Sequence, residues 1–155
     1  MIDIQSLHIG SHVLLVDNEI VPGITYLEKG VRYKVTGIDS FNNLISLGDK
    51  YEERYGIKHA LSFNPDNLAP IPITEELLAE ISAGKHEKSN KVGDYFVCVW
   101  TIGEYQIEFR IIGERNIVVI RDYAEPQTLI AESMNIRYLH ELEAFIYLTT
   151  KQRLI

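Results

Sequence analysis

The most regular pattern of hydrophobic and polar positions lies between residues 94 and 123. From Tyr105 to Ile111, apolar or aromatic side chains take every second position and polar or charged side chains take those between. This alternation predicts a strand in a sheet with one buried and one solvent-facing side. Residues 94–101 and 116–123 are similarly rich in β-branched and aromatic residues. We therefore expect three strands that form an antiparallel meander.

Glycine-containing pairs separate these three strands. Gly113-Glu114 fits a two-residue turn of type II′, and Gly103-Glu104 fits a slightly looser turn. A further extended piece is expected at residues 128–131, after Pro126 breaks the third strand. The sheet should accordingly have three to four strands.

Two helices are expected to flank this sheet. The first covers residues 75–83, because Thr74 is a favourable N-cap and two glutamates follow it at the positive end of the helix dipole. The second covers residues 136–150, with Asn135 as its cap. Its apolar stripe should cover the dry side of the sheet; the stripe consists of Leu139, Leu142, Phe145 and Ile146. The polar segment 85–91 is expected to be a loop.

The first 71 residues contain shorter strand-like segments. Residues 12–16 read as a buried strand, and residues 32–41 and 44–47 should pair around Asn42-Asn43, a sequence that suits a type I′ turn. Residues 68–71 give a last short strand before the rigid Pro70-Ile71-Pro72 linker. The sequence thus predicts an α+β protein with an SH3-like β-barrel lobe at residues 1–71 and an α+β lobe at residues 72–155.

Composition restricts the classes of partner. The net charge is −7, and acidic residues outnumber basic ones in both lobes, so neither lobe offers the basic face that nucleic-acid binders use. The single cysteine and the absence of a long apolar run indicate a reducing compartment and no membrane span. We expect a cytoplasmic protein.

Candidate catalytic groups are few. Cys98 lies between Val97 and Val99, which indicates a small buried side chain rather than a nucleophile. His8 and His12 have the spacing of a helical metal pair, but Gly10 between them makes a helix doubtful. The sequence has no serine-hydrolase, P-loop or dinucleotide-binding motif. We expect no enzymatic activity, no cofactor and no metal.

The segment 49–58 combines aromatic and basic residues. Its candidate binding residues are Tyr51, Arg54, Tyr55 and Lys58. Tyrosines and arginines are common anchors of protein interfaces and also stack on bases. Three interpretations stay open, namely tyrosines packed against the barrel, a protein interface, and a nucleic-acid contact.

Two segments carry a resemblance to a known group of proteins. The first matches a P-I-P-L-T-E-E-x-L segment through Pro70, Ile71, Pro72, Thr74, Glu75, Glu76 and Leu78. The second matches a helix like Y-V-H-E-L-Q-N-x-Y-x-x-L-T-G-x-E-L through Tyr138, His140, Glu141, Leu142, Tyr147, Leu148 and Thr149. The chain departs from this pattern at Glu143, Ala144 and Thr150.

Together these motifs resemble an uncharacterised family of small bacterial and prophage proteins. The resemblance implies an accessory role connected with phages and singles out His140 as a weak candidate binding residue, although a surface histidine on the helix is the simpler interpretation. The leading hypothesis is a non-enzymatic protein that binds another protein, with a homo-oligomer left open. The alternative is a nucleic-acid-binding accessory factor acting through the SH3-like lobe.

Overall fold

The computed structural model is an α+β protein made mostly of antiparallel strands. It describes residues 2–16, 19–21, 25–27, 29–48, 61–83, 88–126 and 128–155. The chain divides into two compact units, Met1–Ile71 and Pro72–Ile155. Among the described residues, no helix combines the length and the apolar character that crossing a membrane requires.

The N-terminal unit is built from short antiparallel strands. They are β1 (His12–Leu15), β2 (Glu19–Val21), β3 (Thr25–Leu27), β4 (Arg32–Asp39), β5 (Leu44–Gly48), β6 (Leu61–Phe63) and β7 (Leu68–Ala69). Five of them form one sheet in the order β6-β5-β4-β1-β7, and β2 pairs with β3 separately. Because β7 returns to lie beside β1, the two ends of this unit meet in one sheet.

The core of this unit follows from alternation along its longer strands. β1, the first half of β4 and β5 each bury every second residue, as expected for strands with one dry side. The buried cluster consists of Ile2, Leu7, Val13, Leu15, Tyr33, Val35, Ile45, Leu47, Phe63 and Leu68. Among the described residues these strands form an open sheet with β6 and β7 at its ends and not a closed barrel, so the SH3-like barrel stays a prediction.

The β4–β5 hairpin forms as expected, but its turn was predicted wrongly. Asp39 pairs with Leu44, so four residues, 40–43, make the loop. Of these only Asn43 has a positive φ, at 55°, whereas a type I′ turn requires two consecutive residues with positive φ. The side chain of Asp39 accepts hydrogen bonds from the backbone of Phe41 and Asn42, which stabilises the wider loop.

The C-terminal unit contains five strands and two helices. They are α1 (Glu75–Ser82), β8 (Lys88–Val92), β9 (Tyr95–Ile102), β10 (Tyr105–Ile112), β11 (Arg115–Asp122), β12 (Leu129–Met134) and α2 (Leu139–Thr150). All neighbours in the sheet are antiparallel, in the order β12-β11-β10-β9-β8. The sheet is thus one strand larger than the widest prediction.

Three similar turns connect β8, β9, β10 and β11. Each loop has two residues, and its glycine has a positive φ: 60° at Gly93, 58° at Gly103 and 58° at Gly113. An acidic residue with negative φ follows each glycine, which is the pattern of a type II′ turn. The strand β8 contradicts the loop predicted for residues 85–91 over its described part, because the Gly93-Asp94 turn folds residues 88–92 back along β9. Residues 85–87 of that prediction lie outside the described residues.

Both helices lie against the same side of the sheet. The Cys98 thiol of β9 lies 3.5 Å from the Ser82 hydroxyl at the end of α1. The Asn116 amide of β11 donates to the Ile136 carbonyl just before α2, at 2.8 Å. The sheet residues buried on this side are Phe96, Cys98, Trp100, Ile107, Phe109, Val118 and Ile120. This arrangement is the helix-covered dry side that the alternation in β10 predicted.

The second helix begins three residues later than expected. Asn135 is not its cap; it has φ 65° and its backbone N–H donates to the Asn116 carbonyl. The cap is Tyr138, and the Glu141 carboxylate accepts from the backbone N–H groups of Arg137 and Tyr138 at 2.8 and 3.2 Å. These two hydrogen bonds to a glutamate at position N3 stabilise the helix start.

Candidate functional site

The sheet of the C-terminal unit ends in two outer strands, β8 and β12. In the part of the chain that the structure describes, β8 pairs only with β9, and β12 pairs only with β11. The outer edge of such a strand presents backbone N–H and C=O groups that another strand can bind. The two edges differ in length and in side-chain chemistry, so they must be considered separately.

The register of β12 determines which of its backbone groups point outwards. The Asn135 N–H donates to the Asn116 carbonyl at 2.7 Å, and hydrogen-bonded and non-hydrogen-bonded pairs alternate along an antiparallel ladder. The pairs Ser133 with Val118 and Ala131 with Ile120 are therefore the hydrogen-bonded ones. It follows that the N–H and C=O groups of Glu132 and Met134 point away from β11, towards the open edge.

Large apolar side chains accompany this open edge. Leu129 exposes 52% of its surface, Ile130 43% and Met134 66%. The register between β11 and β12 shifts next to Ile120, which leaves Ile130 without a directly opposite residue. Glu132 is the only charged residue in β12. Natural edge strands are commonly protected by lysine, proline, short length or a β-bulge. β12 has six residues with neither lysine nor proline, and its register shift lies at Ile130, away from the outward-pointing groups of Glu132 and Met134.

The other edge strand, β8, carries the lysines that β12 lacks. The sequence of β8 is KSNKV, with a lysine at each of positions 88 and 91. The ammonium group of Lys91 lies 2.9 Å from the Glu75 carboxylate of α1, and this carboxylate raises the pKa of Lys91. A strand of polar and cationic residues is a poor template for an apolar partner strand. The open edge of β12 is therefore the candidate functional site.

On the outer side of the sheet next to β12, apolar and charged residues are mixed within each cross-strand row. Met134 lies opposite Ile117, and Glu132 lies opposite Val119. Further along the sheet, the Glu108 carboxylate pairs with the Arg110 guanidinium and raises its pKa. Glu132 also contributes to the raised pKa of Arg110, after Glu108, but it lies on the outer strand, so its carboxylate is the charge that an incoming segment would meet.

Four of the sequence-predicted site residues cannot be placed. Tyr51, Arg54, Tyr55 and Lys58 lie in residues 49–60, outside the described part of the chain. The three interpretations of these residues, namely packing against the barrel, a protein interface and a nucleic-acid contact, therefore stay predictions.

The fifth candidate, His140, lies at the second position of α2. It exposes only 2% of its surface, so the interpretation as a surface histidine is wrong. Its ring stacks on Tyr138 with centroids 5.8 Å apart and planes inclined by 7°. Glu143, one helical turn further on, is also buried. The burial arises because residues 139, 140, 142, 143 and 146 place more than one side of α2 in contact with protein.

The remaining candidates from the sequence are Cys98, His8 and His12, and each lies in a setting that its neighbours in the fold explain. Cys98 is fully buried, as its apolar neighbours predicted, and its thiol donates to Ser82. His8 Nδ1 lies 2.7 Å from the Ser11 hydroxyl, whereas His12 begins β1, so these two histidines do not share a helical face. Within the described ranges, no three His, Cys, Asp or Glu side chains gather in a way that would hold a metal ion.

Sequence reasoning placed an extended piece at residues 128–131 but did not identify its role. The available signal was positional. A short apolar segment, Leu129-Ile130-Ala131, directly follows a meander, and consecutive strands usually pair, which favours an outer strand beside the third one. Met134 at its end was missed because the predicted strand stopped before it.

Comparison of the chain with protein-family models, with curated proteins and with solved structures finds no match.

Proposed function

We propose that this chain is a non-enzymatic interaction protein that binds an extended segment of another protein along the open edge of β12. The observation that supports this proposal is the outward direction of the Glu132 and Met134 backbone groups beside three exposed apolar side chains. Adding a strand to a sheet edge is an established mode of peptide recognition, in which main-chain hydrogen bonds supply affinity and side chains supply specificity.

The chemistry of β12 defines the segment that would fit. An added antiparallel strand would exchange backbone hydrogen bonds with Glu132 and Met134 and would extend the sheet to six strands. Its side chains would contact Met134 on one side of the sheet and would meet the Glu132 carboxylate on that same side. An apolar residue near Met134 and a lysine or arginine near Glu132 are therefore the expected features of the partner.

The expected cellular setting follows from the sequence. Three expectations accompany this proposal. They are a cytoplasmic location, an association with phages or prophages, and an SH3-like N-terminal unit. The return of β7 to β1 supports the SH3-like interpretation, since it brings the ends of the unit together as a curled sheet needs. The net charge of −7 favours a protein over a nucleic acid, because phosphate binding depends on cationic side chains.

The proposal is tested by comparing affinity captures from host lysate with three forms of the full chain. Met134→Lys places a cation on the open edge, where it should prevent strand addition. Leu148→Lys is the matched control, because Leu148 is also an exposed apolar residue but lies on α2. We expect the wild-type chain and Leu148→Lys to retain the same proteins and Met134→Lys to lose at least one of them.

Both substitutions are at exposed positions, so each should change the free energy of unfolding by less than about 0.5 kcal/mol. Equal melting curves would show that any loss of partner reflects the edge and not unfolding. Identical captures from all three forms, or captures that return nothing, would contradict the proposal.

A further inference from the structure

A second feature on the surface concerns Phe41, at the tip of the β4–β5 hairpin in the N-terminal unit. Its side chain exposes 96% of its surface, more than any other large hydrophobic residue that the structure describes. Isolated exposed hydrophobic residues are ordinary on proteins. An aromatic ring that remains almost fully hydrated contributes little to the core, which leaves its whole surface available for contact with another molecule.

The loop around Phe41 is organised by one carboxylate. Asp39 Oδ1 accepts hydrogen bonds from the backbone N–H groups of Phe41 and Asn42 at 3.1 and 3.0 Å. Its other oxygen, Oδ2, accepts from the Asn42 side-chain amide at 2.7 Å. Asn43 then completes the loop in the left-handed conformation, φ 55°. The backbone on both sides of the exposed ring is consequently fixed before any partner arrives.

Fixing the loop in advance matters for binding. Ordering a flexible loop on association consumes part of the interaction free energy, and a loop held by its own hydrogen bonds avoids that loss. Aromatic residues that fill a pocket on the partner are typical hot spots of protein interfaces. The hairpin therefore has the two features of an anchor, namely a large apolar side chain and a preorganised support.

The charges around the ring restrict what it can enter. Residues 35–47 contain no lysine or arginine, and Asp39 is their only charged residue. The hydrogen bonds from Asn42 hold the pKa of Asp39 below its ordinary value, so it is ionised at neutral pH. Anionic lipid surfaces and nucleic acids attract cationic segments, which this hairpin lacks. A protein pocket with cationic residues at its rim matches both the ring and the carboxylate.

We propose that Phe41 is an anchor residue that inserts into an apolar pocket of another protein, with the Asp39 carboxylate facing lysine or arginine residues at the rim of that pocket. This surface is independent of β12, since it lies in the other unit and uses a side chain where β12 uses its backbone edge. The chain would then carry two separate contact sites, and loss of one leaves the other measurable.

The first experiment replaces Phe41 with the photoreactive amino acid benzoylphenylalanine in the full chain, expressed in its natural host. The matched control carries the same probe at Tyr123, another exposed aromatic position. We expect irradiation to give one discrete protein adduct from position 41 that position 123 does not give. Peptide mapping should place the attachment in an apolar segment with lysine or arginine beside it.

Several results of this experiment would overturn the proposal. They are the absence of an adduct, the same adduct from both positions, an adduct to lipid, to nucleic acid or to a second copy of this chain, and attachment to a segment flanked by acidic residues.

The second experiment measures affinity for the partner so identified. Phe41→Ser should weaken binding by about 30- to 1,000-fold, the usual range for loss of a hot-spot aromatic residue. Its melting temperature should be unchanged because the ring is exposed. A loss of affinity below about threefold would overturn the anchor role.

Two variants of Asp39 separate charge from loop order. Asp39→Asn keeps an oxygen acceptor for the two backbone N–H groups; it removes the charge and also the Oδ2 acceptor of the Asn42 amide. It should weaken binding and reduce the dependence of affinity on salt. Asp39→Ala also removes the acceptor and should weaken binding further. If both variants bind as the wild-type chain does, the carboxylate has no part in recognition and the proposed basic rim is wrong.

Discussion

Replacing Gly113 with alanine should destabilise the C-terminal unit by about 1 kcal/mol. Gly113 has φ 58°, and a Cβ built at this position would meet nothing within 4 Å. The cost is therefore conformational and not steric: a positive φ of this kind is sparsely populated by L-residues and costs about 1–3 kcal/mol. The reduced freedom of the unfolded chain offsets about 0.4–1 kcal/mol of that cost. Asparagine tolerates positive φ better, so Gly113→Asn should be less destabilising than Gly113→Ala.

The assay is urea unfolding followed by the fluorescence of Trp100. It is the only tryptophan in the chain and is fully buried in the sheet of the C-terminal unit, so its emission reports on that unit. The slope of the free energy against urea should be unchanged, because the surface exposed on unfolding is the same. If Gly113→Ala is as stable as the wild-type protein, or if Gly113→Asn is the less stable variant, the assignment of a strained turn is wrong.

Three further predictions concern the packing, capping and titration of other residues. Leu142→Ala should destabilise the C-terminal unit by about 2–5 kcal/mol in the same assay, because Leu142 is fully buried. Thr74→Ala should cost about 1 kcal/mol, since its hydroxyl caps α1 by accepting from the Leu77 N–H at 3.2 Å; an unchanged unfolding midpoint would refute either effect. The pKa of Asp39 is lowered by hydrogen bonds from Asn42, so its stabilising contribution should be complete above the unfolded value and should disappear as the pH falls through the folded value. A carbon-13 titration should show a higher pKa for Asp39 in Asn42→Ala than in the wild-type protein.

Strong local patterns predicted much of the C-terminal unit. The alternation in β10 and the Gly113-Glu114 pair fixed one strand and its turn, and Thr74 fixed the start of α1. These features depend on interactions within a few residues, which a single sequence displays directly. The boundaries of β10, Tyr105–Ile112, agree with the prediction at both ends.

The errors arose where contacts distant in sequence decide the structure. β8 has a polar sequence without alternation, and its strand conformation depends on pairing with β9 across Gly93. His140 occupies a position that local periodicity assigned to the surface, but it is buried because α2 is covered on more than one side. The open edge of β12 likewise depends on which strands pair with one another. Local periodicity predicts single strands but does not determine their order in a sheet.

Amide hydrogen exchange along β12 tests the proposed binding edge most directly. In the free protein, the N–H groups of Ala131 and Ser133 should exchange slowly because they bond to β11, whereas those of Glu132 and Met134 should exchange rapidly. Adding the partner recovered by affinity capture should slow exchange at Glu132 and Met134 while leaving Ala131 and Ser133 nearly unchanged. Protection of Glu132 and Met134 in the free protein, or their continued rapid exchange in the complex, would contradict strand addition at this edge.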